Sequence, residues 1–183
     1  LGEHYMNASF EMIDLTSVFE KFEDLFQFPK NELALANSRA RLRMMTLYQK
    51  AQTFGGIVVG TGNKVEDFGV GFYTKYGDGG VDISPIADLY KTEVWALGKE
   101  LGIDQRIIDA EPTDGLWEDG RVDSDQLNGL SYEQLEWCME YIDAPEDMMT
   151  EEDRENIELY KTIRNKNLHK MNPIPVFTKS KEV

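Results

Sequence analysis

Ile57-Val58-Val59-Gly60-Thr61-Gly62-Asn63 is the stretch that decides the fold. Three β-branched residues in a row form a short apolar run of the kind that makes a strand buried on both faces. Such a strand needs helices on either side, and the flanking sequence supplies them. Upstream, Asn31 to Phe54 reads as one long helix with Leu35, Leu42, Met45 and Tyr48 on its core stripe, stopped by Gly55-Gly56. Downstream, Ser84-Pro85 has the N-cap and first-turn proline of a second helix. Its buried side would be Ile86, Leu89, Val94, Leu97 and Leu101, and Gly102 would end it. Further out, Ser9 to Leu15 alternates apolar and polar residues like a strand, and Thr16-Ser17 signals a helix start. That helix would bury Val18, Phe19, Phe22, Leu25 and Phe26, and Pro29 would close it. Ser131 and Gln134 predict a capping box for a helix over Tyr132 to Ile142, and Glu151 to Leu168 forms a last, highly charged helix. This order predicts an α/β fold: one domain over residues 1–183, a parallel sheet flanked by helices. Ligands of such sheets bind at the carboxyl ends of the strands, and the loop after Val59 is one such end.

Composition narrows the function. The 183 residues are 41% hydrophobic, enough for a packed core, and carry a formal net charge of −15. That charge argues against nucleic acid, which requires a basic stripe, but leaves room for a nucleotide held by a few cations. No apolar run approaches the roughly 18 residues of a membrane span. The lone Cys138 excludes an intramolecular disulfide and fits a reducing, cytoplasmic setting. The chain opens at Leu1 in a strand-like segment without a polar leader, which predicts further chain upstream.

Taken alone, the loops leave alternatives open. Gly60-Thr-Gly-Asn63 is equally a plain turn or a nucleotide site; a dinucleotide fingerprint would need Gly or Ala where Val65 stands. Lys75-Tyr-Gly-Asp-Gly-Gly-Val-Asp82 suits neither helix nor strand and reads as an ordered loop or an exposed turn. Glu66, between the two loops, is either a magnesium ligand or a surface acid. Glu111 to Gly129 has the composition of a lid or of a long surface loop. His169 and Lys170 sit where they would complement a helix dipole, and Arg41 and Arg43 where they would be surface charges.

Together the motifs are more specific. Ala40-Arg-Leu-Arg-Met44, Gly60-Thr-Gly-Asn63 with Glu66, Thr74-Lys-Tyr-Gly-Asp-Gly-Gly80 with Asp82, Lys91 and Pro112-Thr113 occur in that order. The set resembles the synthetase domain of NAD synthetases, of the adenine nucleotide α-hydrolase-like fold, and the resemblance runs from about Ser9 to Pro175. It implies an ATP-dependent ligase that amidates deamido-NAD to NAD. ATP adenylates the nicotinate carboxylate with loss of pyrophosphate, and ammonia then displaces AMP. It also implies roles. Arg41, Lys75, Asp82, His169 and Lys170 would bind deamido-NAD. Thr61, Lys91 and Thr113 would contact ATP, and Glu66 would hold Mg²⁺. Lys91 and Asp78 would serve catalysis, Asp78 near the point of ammonia entry. Family members pair as homodimers, to which the helices over residues 31–54 and 151–168 would contribute.

Two departures stand out. The family's Ser-Gly-Gly-x-Asp-Ser phosphate loop does not occur in these residues, so this stretch by itself is expected to be inactive. The interval from Glu66 to Lys75 is one residue longer than the commonest family spacing. The competing readings are another ATP pyrophosphatase that amidates or thiolates a nucleotide, and a non-catalytic acidic interaction domain.

Overall fold

The computed structural model describes residues 8–26, 29–117 and 119–179. Helix α1 spans Thr16–Asp24 and α2 spans Glu32–Phe54, with Asn31 as the N-cap accepting from the Ala34 amide and Gly55 in the left-handed conformation at its end. A π-helical turn, Val65–Val70, follows the first glycine loop. Then come α3 (Lys91–Glu100), α4 (Gln105–Ile108), α5 (Asp123–Gln126), α6 (Tyr132–Tyr141) and α7 (Glu151–Met171). The capping box Ser131–Gln134 is present at the start of α6, and α7 runs three residues past the expected Leu168.

The expected parallel sheet is represented, among the described residues, by one parallel bridge between Val59 and Ile83. Asp82 N donates to Val58 O at 2.9 Å and Gly60 N to Ile83 O at 2.7 Å. The ladder stops there for a local reason. The Val58 amide is taken by the Asp82 carboxylate (2.7 Å) rather than by a backbone carbonyl, and beyond Gly60 and Ile83 both segments turn away. Contrary to a strand buried on both faces, only Val58 of the apolar run is buried, while Ile57 and Val59 are more than half exposed. Ser9 to Leu15, expected as a strand, is irregular chain without a bridge and largely exposed.

The helix expected from Ser84 begins instead at Lys91. Residues Ser84 to Leu89 form successive turns, the Leu89 carbonyl accepts from the Lys64 amide at 2.8 Å, and Tyr90 is extended (φ −66°, ψ 159°), which breaks any helical run before Lys91. Leu97 and Leu101 are exposed; the packed side of α3 is Trp95 against the core. In α1 only Phe19 is buried among its expected apolar face, with the Arg39 guanidinium 4.6 Å from its ring centroid. The helix start there is secured by the Asp14 carboxylate, which accepts from the Thr16 amide.

The core forms where the π-turn, α6 and α7 meet: Val65, Val70, Leu127, Leu135, Ile157 and Tyr160 lie at its centre. The stripe expected on α2 differs too. Ala36 and Ala40 are its buried residues, and Met45 is exposed. Small side chains there let the second glycine loop lie directly on the helix, as Gly77 shows: a Cβ on it would fall 3.0 Å from Ala40 Cβ.

Candidate active site

The site lies between the two glycine loops. The first loop leaves the Val59–Ile83 bridge and enters the π-turn through Asn63, whose side chain is buried and caps it by accepting from the Val65 and Glu66 amides at 3.0 and 3.2 Å. A π-turn accommodates one residue more per turn than an α-turn. Consecutive carboxylates thereby face different surroundings. Glu66 meets α3 and α6, and Asp67 lines the cleft between the loops.

Around Glu66 the geometry is close. Lys91 Nζ lies 3.2 Å from Glu66 Oε1 and 4.8 Å from the Tyr132 ring centroid. The Tyr132 hydroxyl is 2.6 Å from Glu66 Oε1 and 2.9 Å from Asp123 Oδ2. Glu66 Oε2 accepts from the Asn63 amide at 3.2 Å. Burial raises the Asp123 carboxyl pKa, an effect opposed by the Tyr132 hydrogen bond. Burial, with the Glu66 charge next, raises that of the Tyr132 hydroxyl.

The cleft holds about 140 Å³ and is lined by Gly60, Gly62, Asp67, Tyr73, Asp78 and Ser84, among others. Asp67 is pushed up to about 6 by burial first and by Glu66 and Asp78 after it. Asp78 opens to solvent at the mouth yet has protein around most of its carboxylate, and this desolvation raises its pKa. Its Oδ1 accepts from the Thr74 amide at 3.0 Å, bracing a loop in which Tyr76 has a left-handed φ of 64°. Thr74 itself is buried, its hydroxyl 2.6 Å from Asn37 Oδ1 on α2.

The residues expected to bind the dinucleotide gather on this second loop. Arg41 Nε donates to Lys75 O at 3.3 Å, and Lys75 Nζ to the His169 carbonyl at 2.6 Å. Lys170 Nζ donates to Gly71 O and Tyr73 O at 2.8 and 2.7 Å, and burial lowers its pKa. Asp82 is set apart: Tyr48 donates to its Oδ1 (3.2 Å) and the Val58 amide to its Oδ2 (2.7 Å). Thr61 is exposed on the first loop. Thr113 turns into its own segment, donating to Arg121 O at 3.3 Å and accepting from the Gly115 amide at 3.2 Å. That segment, Glu111 to Gly129, is more structured than a bare loop. It contains α5, and Trp117 Nε1 and Gln126 Nε2 both donate to Asp114 Oδ2 (3.2 and 3.1 Å). Arg39 and Arg43 of α2 hold its carbonyls at Leu116 and Gly115.

Sequence reasoning singled out Glu66 and Lys91 but passed over Asp67, Asp123 and Tyr132. None of the three stands in a recognisable motif. No cluster of three or more His, Cys, Asp or Glu side chains with metal-site geometry occurs among the described residues. Mg²⁺, however, takes only one or two carboxylates and fills the rest of its octahedron with water and phosphate oxygens. Glu66, with the buried Asp123 beside it, fits that demand.

The NAD synthase family model matches residues 4–174. The chain belongs to the NAD synthase family. Among curated relatives of this NAD synthase member is the NH3-dependent NAD+ synthetase of Methanococcoides burtonii, 44% identical over 145 residues, which are 77% of this chain and 53% of that one. The NH3-dependent NAD+ synthetase of Methanosarcina acetivorans is 36% identical over 182 residues, covering 93% and 69%. Among solved structures, NMN synthetase from Francisella tularensis aligns with a TM-score of 0.74 at 33% identity, over 92% of this chain and 65% of that one. The NH3-dependent NAD synthetase of Campylobacter jejuni, with nitrate bound, aligns at 0.70 and 25% identity, over 91% and 64%. The family member described here therefore spans about half the length of several of the curated relatives it matches. No helix among its described residues is long and apolar enough to cross a membrane.

Proposed function

We propose that this protein contributes the nucleotide-binding half of a ligase that amidates deamido-NAD to NAD at the expense of ATP, with ammonia as nitrogen donor. The observation that carries the reading is the Glu66–Lys91 pair, set at 3.2 Å beside the first glycine loop and across a cleft from the second. A carboxylate is a poor nucleophile toward a polyanion, so the reaction needs preorganised positive charge where charge develops. Lys91 supplies it from α3, with Thr61 and Thr113 as further ATP contacts. Mg²⁺, held by Glu66, would neutralise phosphate charge when bound. Arg41, Lys75, His169 and Lys170, gathered on the second loop, bind the anionic dinucleotide, and Asp82 fixes the far end of that loop. Asp78 faces the ammonia, which forms the C–N bond as AMP leaves and the nitrogen sheds its proton. The segment closed by the Asp114–Trp117–Gln126 hydrogen bonds acts as a lid that keeps water from the adenylate. The Val59–Ile83 bridge belongs to a parallel sheet of the adenine nucleotide α-hydrolase-like type, and the working enzyme is a cytoplasmic homodimer.

Thermal-shift titration tests the reading. Deamido-NAD and Mg·ATP should each raise the melting temperature, corresponding to about 2.7 kcal/mol at a hundredfold excess over Kd, and XMP should not. Stabilisation by XMP, or by neither ligand, would count against it. One structural relative is an NMN synthetase, so nicotinic acid mononucleotide belongs in the same titration, and preference for it over deamido-NAD would reassign the acceptor to the mononucleotide.

A further inference from the structure

The Tyr132 hydroxyl has one proton but two carboxylate neighbours, Glu66 Oε1 at 2.6 Å and Asp123 Oδ2 at 2.9 Å. When both carboxylates are ionised, one of these contacts lacks a proton. Lys91 balances one of the two negative charges from 3.2 Å. The second has no cation among the hydrogen bonds and ion pairs of the described residues. Asp123 is only 6% exposed, and its Oδ1 is a buried oxygen without a hydrogen-bond partner among the described residues. Leaving a buried carboxylate oxygen unpaired is costly, and a missing ion is one of the few explanations for one that persists.

The position of Asp123 is fixed from both sides. Its amide donates to Pro112 O at 3.0 Å, beside Thr113, and it opens α5, which leads directly into the fully buried Leu127. The two carboxylates are separated by no more than the two short contacts through the Tyr132 oxygen. Oxygen ligands of Mg²⁺ sit at about 2.0–2.1 Å, so one ion bound directly to Glu66 reaches Asp123 directly or through one of its waters.

We propose that Asp123 is a second protein ligand, beside Glu66, of the divalent cation, so that cation binding fastens the Pro112–Asp123 segment to the nucleotide site. This rests on the reading of Glu66 as a cation ligand. Binding of Mn²⁺ to the protein, followed by electron paramagnetic resonance, tests it without any turnover. Asp123→Asn keeps the Tyr132 hydrogen bond and should weaken Mn²⁺ by about 10–100-fold, as should Glu66→Gln. Tyr132→Phe retains both carboxylates and should bind within a few-fold of wild type. Wild-type affinity in Asp123→Asn with loss in Glu66→Gln would overturn this assignment and leave Glu66 standing; wild-type affinity in both would remove the cation reading altogether. A second measurement needs no variant: Mg²⁺ should slow amide exchange in wild type at Asp123 and Thr113, and unchanged exchange at both would also overturn the assignment.

Discussion

Asp67 fills the space that a side chain at Gly62 would need: a Cβ on Gly62 would press on Oδ1 and lie 2.5 Å from Oδ2. The second glycine of the first loop is therefore matched to a carboxylate of the same chain, five residues on. Gly62→Ala should fold, because the tip of Asp67 can swing outward at a cost of under about 1 kcal/mol. Once solvated, Asp67 should titrate nearer the ordinary aspartate range than its present value of about 6. A carboxyl-carbon NMR titration of both proteins reads this directly, and an unmoved Asp67 would refute the packing argument.

Asp67 also gives stability a pH dependence of definite sign. Its folded pKa lies above the model-compound 3.8, so the native state binds this proton more tightly than the unfolded chain. Its contribution to stability is complete below about pH 4 and is lost as pH rises through about 6. Asp67→Asn removes that loss. It should be more stable than wild type at pH 8, by on the order of 1 kcal/mol after allowance for solvent screening, with the advantage vanishing by pH 4. Denaturant unfolding at the two pH values measures the difference; equal stability at pH 8 would contradict the shift.

Gly77→Ala should destabilise the protein. The added methyl would lie 2.8 Å from Thr74 Cγ2 and 3.0 Å from Ala40 Cβ, both buried. Overpacking of this kind costs about 1–3 kcal/mol, which for a chain of this size lowers the melting temperature by roughly 2–4 °C per kcal/mol. Calorimetry would show it, and a wild-type melting temperature would mean that the loop is not seated on α2 as described.

Lys91→Met should weaken Mg·ATP by at least about tenfold, in keeping with the 1.5–3 kcal/mol typical of hydrogen bonds to charged groups. Titration calorimetry gives the affinity, while deamido-NAD, which we propose binds on the other loop, should keep its wild-type Kd. Equal losses for both ligands would point to general disruption instead.

Cys138 is buried, and burial pushes its thiol up to about 11. It should resist alkylation by iodoacetamide at pH 7 until the core formed by the π-turn, α6 and α7 opens, since the thiolate is the reactive form. Rapid labelling under native conditions would show that this core opens locally.

The legible parts of the sequence were those set by local chemistry. Asn31, Gly55, Ser131 and Gln134 act at helix ends through their own side chains or backbone, and the structure uses each of them there. The structure departs from these local signals where a distant partner decides the outcome. Ser84-Pro85 has the signals of a helix start, but the Leu89 carbonyl meets the Lys64 amide from another part of the chain and Tyr90 turns extended before Lys91. Large residues mark the expected α2 stripe, whereas the contact with the glycine loop selects Ala36 and Ala40. The site divides in the same way. Glu66 and Lys91 carry motifs, and they meet. Asp123 is one acid among several in its segment, and only its burial beside Tyr132 distinguishes it.

The widened turn at Val65–Val70 works as a phase shifter. A residue added to a strand reverses its two faces, but one added to a helix can be stored as a local bulge while the flanking segments keep their alignment. Shortening this turn by one residue should restore ordinary helical pitch and rotate the carboxylates by about 100°. Asp67 would then replace Glu66 opposite Lys91, and Asp78 would stay behind in the cleft without it. Chain length at this one turn thus sets how much negative charge the pocket carries, independently of the glycine motifs on either side.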